Sequence, residues 1–183
     1  MGDDPHSRRD AAGVTFRRAV PAGMAAHRQR IEAQRAALDE ARTGGDPMAL
    51  IEAAGSLGFS LFLAGEEAHA EPLLEEALAL SRKIGDRATE IDGLLGLGTA
   101  RQYLGRREEA VSLFDEGLRL CEETGLDAQE HFLLHHLGRC LVEMGRVDEA
   151  RAAFQAALVI RKRLGDKRFI DSSQGALDEI AAL

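Results

Sequence analysis

A glycine returns every 40 residues along this chain: Gly45, Gly85, Gly125 and Gly165. Other residues keep the same beat. Leu57-Gly58, Leu97-Gly98 and Leu137-Gly138 recur in register, as do Gly65, Gly105 and Gly145, then Ala70, Ala110 and Ala150, then Leu78, Leu118 and Leu158. A fixed period of this size marks a stacked array, in which each unit buries its apolar face on its neighbours. It constrains the fold more than any other property of the sequence.

Each period reads as two helices. From about residue 22 to residue 43, Met24, His27, Ile31, Gln34, Leu38 and Ala41 recur at spacings of three and four, the spacing of one helix face. Gly45 then suits a left-handed helix stop and Asp46 the N-cap of the next helix. Gly85-Asp86 and Gly165-Asp166 repeat the pair, and Gly125-Leu126-Asp127 shifts the cap by one residue. Tight turns fall at Gly65-Glu66, Gly105-Arg106 and Gly145-Arg146. The reading is a leading helix over 22–43, hairpins within 46–85, 86–125 and 126–165, and a closing helix over 167–182, about eight helices in all. Residues 1–21 are polar and aperiodic and read as a flexible leader, either inert or a short interaction arm.

Glycine inside a helix costs about 1 kcal/mol against alanine. Gly58, Gly98 and Gly138 therefore need a packing reason, and Ala70, Ala110 and Ala150 on the facing helix suggest close backbone approach. Leu74, Phe114 and Phe154, with Leu78, Leu118 and Leu158, fill the layer between units.

These residues resemble tetratricopeptide repeats. Leu97-Gly98, Gly105, Glu109-Ala110, Phe114 and Leu118 carry the likeness, as do Leu137-Gly138, Gly145, Glu149-Ala150, Phe154 and Ala157-Leu158. Leu57-Gly58, Gly65, Ala70, Leu74 and Ala77-Leu78 repeat it, so it spans about residues 46–166. The common unit has 34 residues; the 40-residue unit here is similar to the longer repeats of kinesin light chains and of bacterial peptide-sensing regulators. The resemblance departs at Leu61, Arg101 and Leu141, where the family carries an aromatic. It implies an all-α, right-handed solenoid whose first helices line a concave, protein-binding face.

On those helices the groove face should hold Glu52, Gly55, Phe59, Phe62 and Leu63, then Asp92, Leu95, Thr99, Gln102 and Tyr103, then Phe132, His135, Arg139, Val142 and Glu143. Phe59, Phe62, Tyr103 and Phe132 would be the apolar anchors, and Glu52, Asp92, Thr99, Gln102, His135, Arg139 and Glu143 the polar contacts. A register one residue off would make these aromatics core instead. The charge is uneven. Residues 1–30 carry six Arg against three Asp, whereas the rest carries 17 basic and 28 acidic residues. An acidic body argues against a nucleic-acid surface.

Little in the chain points to catalysis. His131, His135 and His136 cluster, and His131 and His135 sit four apart, a spacing that suits a metal; no further ligand completes a set. The cluster reads as solvated or groove-facing, with His135 a source of pH-sensitive binding. The run Gly93-Leu94-Leu95-Gly96-Leu97-Gly98 lies in a helical pattern without the strand and Lys-Ser/Thr of a nucleotide loop. Cys121 and Cys140 read as inert buried thiols. No apolar run approaches the ~18 residues of a membrane span. The sequence thus predicts a cytoplasmic, non-enzymatic scaffold without metal or cofactor, binding a protein or peptide and neither nucleic acid nor membrane. The alternative is a homodimer joined through the end helices, where Phe169, Ile170, Leu177, Ile180 and Leu183 offer apolar surface. A third reading lays the Arg-rich leader in the chain's own groove.

Overall fold

The computed structural model describes residues 7–9, 15–17, 24–126 and 128–182. Within the leader, β1 (Ser7–Arg9) and β2 (Thr15–Arg17) pair antiparallel, Arg8 opposite Phe16. The aperiodic sequence predicts no element there, because ladder bonds are made by backbone and need no apolar period. The rest of the leader lies outside the described residues.

Among the described residues eight helices follow: α1 (Met24–Gly44), α2 (Pro47–Ala64), α3 (Glu67–Ile84), α4 (Arg87–Tyr103), α5 (Arg107–Thr124), α6 (Glu130–Glu143), α7 (Val147–Leu164) and α8 (Lys167–Ala181). The punctuation is the periodic one. Asp46, Asp86 and Asp166 sit in extended backbone, and their carboxylates accept from the amides of Met48, Thr89 and Arg168, satisfying donors that a helix start leaves open. Every turn glycine of the 40-residue beat has φ between 71° and 85°, a region closed to most side chains. The third unit departs: α6 begins at Glu130 behind Gln129, which gives no side-chain cap. Asp127, the shifted cap, lies outside the described residues.

Sequential helices pack as antiparallel neighbours. The first helices of successive units also meet, α2 with α4, α4 with α6 and α6 with α8, whereas α3, α5 and α7 have no comparable contact among themselves. Helices that converge line the inner side of a curved stack, so α2, α4, α6 and α8 form the concave wall. The core runs continuously through the units, with Leu57, Leu61, Ile91, Leu94, Phe114, Leu133, Phe154 and Ile180 almost wholly buried.

The mid-helix glycines have the expected packing reason with a different neighbour. A Cβ on Gly98 would lie 2.6 Å from the Phe114 ring, and one on Gly138 would lie 2.8 Å from Phe154. At Gly58 it would meet Leu74 at 2.9 Å and the Ala70 carbonyl at 3.3 Å. The large residue of the facing helix lies on the glycine, and Ala70, Ala110 and Ala150, all fully buried, let the helices close enough for that.

One expectation is corrected here, and another finds less surface than the sequence suggests. Helix α2 holds 18 residues with Glu52 as the one charge, and by length and composition it would cross a membrane. It is this apolar because α1, α3 and α4 pack around it. The closing helix spends most of the apolar side that self-association would use. Ile180 is 1% exposed, Ala176 is buried, and Phe169, Ile170 and Leu177 are half-buried, because α8 lays this side on α7. Leu183 lies outside the described residues.

Candidate functional site

The eleven residues assigned to the groove divide into two sets. Glu52, Phe59 and Asp92 face solvent from the concave wall, with Phe59 53% exposed. The other eight lie mostly in the seams between first helices. Phe62 and Tyr103 are each 6% exposed and meet edge to face at 5.0 Å, joining α2 to α4. Arg139 of α6 donates to the Tyr103 hydroxyl at 2.9 Å. Gln102, fully buried, donates to Glu143 at 2.9 Å, and Glu143 also accepts from Arg107 at 2.8 Å. Buried Thr99 lies 3.4 Å from His136. Phe132, half-buried, packs edge to face on Phe169 of α8 at 5.0 Å. His135, 8% exposed, reaches Ser173 of α8 at 3.3 Å.

Phe62, Tyr103, Gln102, Thr99 and His135 are therefore not exposed binding residues, and Phe132, Arg139 and Glu143 show only part of their surface. The spacing of three, four and seven picked the side of each first helix that turns away from its own hairpin partner. The next first helix covers part of that side. Periodicity cannot separate the open strip from the seam, since both lie within one arc. Phe59 is open where Phe62 is not, and Phe59 still touches Phe62, with ring centroids 6.2 Å apart.

A second constellation escaped the sequence reading. Arg161 of α7 is 2% exposed. Its Nε donates to His131 Nδ1 at 3.1 Å, and its Nη1 donates to Ser173 Oγ at 2.8 Å, the Phe169 carbonyl at 3.0 Å and His135 Nδ1 at 3.2 Å. The guanidinium also lies 5.2 Å from the Phe169 ring centre and 5.9 Å from that of Phe132. These partners are neutral, and among the described residues no carboxylate pairs with it. The register held a signal: Arg161 stands where the preceding units carry Ser81 and Cys121, both buried.

The electrostatics follow from burial. Desolvation, assisted by neighbouring cationic groups, pushes His135 down to about 2 and His136 down to about 3. Burial and Arg161 also lower His131. His131 and His135 accept from Arg161, and all three histidines are neutral near pH 7, so His135 is neither solvated nor a switch for binding in that range. Burial lowers Arg161 to about 10. Among the described residues no group of His, Cys, Asp or Glu is arranged to hold a metal. Cys140 is buried, and its thiol is pushed up to about 12, chiefly by desolvation; that opposes thiolate formation.

Two crevices lie off the concave wall. One, of about 420 Å³, runs between α1 and α3 and includes Arg42, Leu61, Pro72 and Glu76. The other, of about 660 Å³, is lined by Asp115, Leu118, Arg119, Cys121 and Glu122 of α5 with Glu130 and Leu134 of α6.

A paired-helix repeat with converging first helices and glycine-stopped hairpins is a tetratricopeptide-type solenoid. Two tetratricopeptide repeat models match the chain, at residues 49–123 and 133–168. Together they span more than half of it, and the chain belongs to the tetratricopeptide repeat family. None of the curated proteins matches it in sequence.

Solved structures share the fold. A variant of the nearly identical TPR-like repeats of a putative kinesin light chain from Podosopora anserina superposes with TM-score 0.69 at 17% identity, over 84% of this chain and 76% of that one. BtubC (BKLC) from P. vanneervenii gives 0.73 at 20% identity, over 85% of this chain and 65% of its own. The Type III secretion translocator chaperone SycD of Yersinia enterocolitica gives 0.57 at 23% identity, over 72% and 92%.

Proposed function

We propose that this chain is a non-catalytic scaffold that takes a segment of a protein partner along its concave wall. The observation that carries the reading is Phe59. It is a large apolar side chain more than half exposed on the wall where first helices converge, and it rests on the buried pair Phe62–Tyr103. An exposed aromatic on a rigid support suits an anchor, since little conformational freedom is lost when a partner covers it. Glu52 and Asp92 stand at equivalent positions of α2 and α4, both exposed. Neither forms an ion pair among the described residues. Burial raises the Asp92 carboxyl while a hydrogen bond from Gln129 lowers it. The strip thus offers one anchor and two acceptors to a segment with an apolar residue and donors.

The self-association reading finds less support, because both end helices spend their apolar sides on the chain itself. A photo-crosslinking residue at position 59, compared with one at Ser112 on the exposed side of α5, tests the groove. A protein adduct formed at 59 and absent at 112 supports it. Equal adducts at both sites, or a self-adduct alone at 59, would overturn it.

A further inference from the structure

The outer side of the solenoid carries a ladder of ion pairs that keeps the 40-residue period and then breaks. Arg42 of α1 donates to Glu76 of α3 at 2.8 Å, and Arg82 of α3 donates to Glu116 of α5 at 2.7 Å. Arg82 also reaches buried Glu90 of α4 at 3.2 Å, so one guanidinium ties three helices at the second junction. At the third junction the positions of Arg82, Glu90 and Glu116 hold Glu122, Glu130 and Ala156. The cation has become an acid and the outer acid has become a methyl group.

A crevice of about 660 Å³ lies at that junction, with Leu118 and Leu134 on its walls and Glu122, Glu130 and Asp115 around it. Leu134 is half-buried, whereas Leu94 and Ala54 at its register positions are fully buried. The late start of α6 at Glu130 accompanies this looser fit. Arg119 is the one basic residue on the lining, and among the described residues neither Glu122 nor Glu130 forms an ion pair. On α7, Ala152, Ala156 and Val159 are exposed, Val159 by 68%.

We infer that this outer crevice between α5 and α6 is a second docking surface, which takes an arginine-bearing apolar segment of a partner protein. The chemistry is that of the preceding junction, where the chain's own Arg82 supplies the guanidinium between Glu90 and Glu116. At the third junction Glu130 keeps the inner acceptor, Glu122 puts a second carboxylate where the donor stood, and the guanidinium is missing. A guanidinium suits two separated carboxylates because its donors fan out in a fixed plane. Leucine walls suit apolar neighbours of that arginine. None of its lining residues belongs to the strip of Glu52, Phe59 and Asp92, so it does not depend on the concave reading.

The test uses the full chain and two labelled peptides, acetyl-Leu-Arg-Leu-Arg-Leu-amide and its twin with citrulline for arginine, which keeps the shape and removes the charge. Binding is followed by fluorescence anisotropy in wild type, in Phe59→Ala and in Glu122→Arg/Ala156→Glu, which installs the missing rung. The arginine peptide should bind wild type and Phe59→Ala about tenfold or more tighter than its twin, and the double variant should lose that preference. Equal binding of the two peptides, no binding of either at millimolar concentration, or a preference that survives in the double variant would overturn the proposal. A preference lost in Phe59→Ala instead would assign the peptide to the concave wall. A melting temperature of the double variant at or above wild type shows that its loss of binding is not unfolding.

Discussion

The second and third units place different chemistry at the same positions. Arg161 meets His131, His135 and Ser173; one period earlier the same positions hold Cys121 with Ile91, Leu95 and Leu133. The set around Cys121 is apolar and borders the outer crevice. The last junction, where α8 closes the stack, is held by a buried guanidinium with neutral acceptors. Apolar seams tolerate approximate partners, whereas a buried cation tolerates only partners that satisfy its donors. The closing helix is thus specified by hydrogen bonds and the internal helices by volume.

The largest expected effect breaks that contrast directly. Arg161→Ala leaves His131, His135, the Phe169 carbonyl and Ser173 without their donor and opens a void, so it should cost about 3–5 kcal/mol, read by chemical denaturation. Transplanting the second unit's set, Arg161→Cys with His131→Ile, His135→Leu and Ser173→Leu, should recover most of that loss. A fourfold variant as unstable as Arg161→Ala would mean that the polar set is required for α8 to dock.

Glycine gives a second, smaller contrast. Gly98→Ala drives a methyl group into the Phe114 ring and should cost about 1–3 kcal/mol. Gly55→Ala meets nothing within 4 Å and should gain up to about 1 kcal/mol from helix propensity. Thermal melts of the two, run side by side, should move in opposite directions.

The polar junction also predicts a pH dependence. His131, His135 and His136 have folded values below the 6.5 of the free side chain. Between those values the unfolded chain binds more protons, so stability falls as pH drops below about 6.5. The slope is on the order of 1 kcal/mol per pH unit for each such histidine. Denaturation at pH 7, 6 and 5 should show it in wild type, and the His131→Ile/His135→Leu background should flatten it. An unchanged slope in that background would place the titration elsewhere.

The smallest effect separates the strip from the seam. Phe59→Ala should cost less than about 1 kcal/mol, because the ring is half in water, whereas Tyr103→Ala, buried against Phe62, should cost about 3 kcal/mol or more. Similar losses for both would mean that Phe59 belongs to the core.

Much of the fold was legible in the sequence because its determinants are local and repeated. The helix bounds over Pro47–Tyr103 match the periodic reading to within a residue, since Gly45, Asp46, Gly65, Gly85 and Asp86 act on backbone within one turn. The third unit was read less well. Its shifted cap removed that signal, and α6 starts three residues later than the period predicts. In the groove, Glu52, Phe59 and Asp92 were placed on the open wall, while Phe62, Thr99, Gln102, Tyr103 and His135 went into seams. A helix face is set by residue spacing; the cover over that face is set by the neighbouring helix.

The 40-residue beat by itself determined the paired helices, their stops and caps, and the tetratricopeptide family. Its signals are backbone conformations and single-face periodicities, which each segment carries alone. Tertiary structure decided which side of each first helix stays open, that Arg161 is buried among histidines, and that the outer ladder of ion pairs fails between α5 and α7. Those properties belong to pairs of residues 8 to 41 positions apart on different helices, and only the superhelical stacking of one unit on the next brings them together.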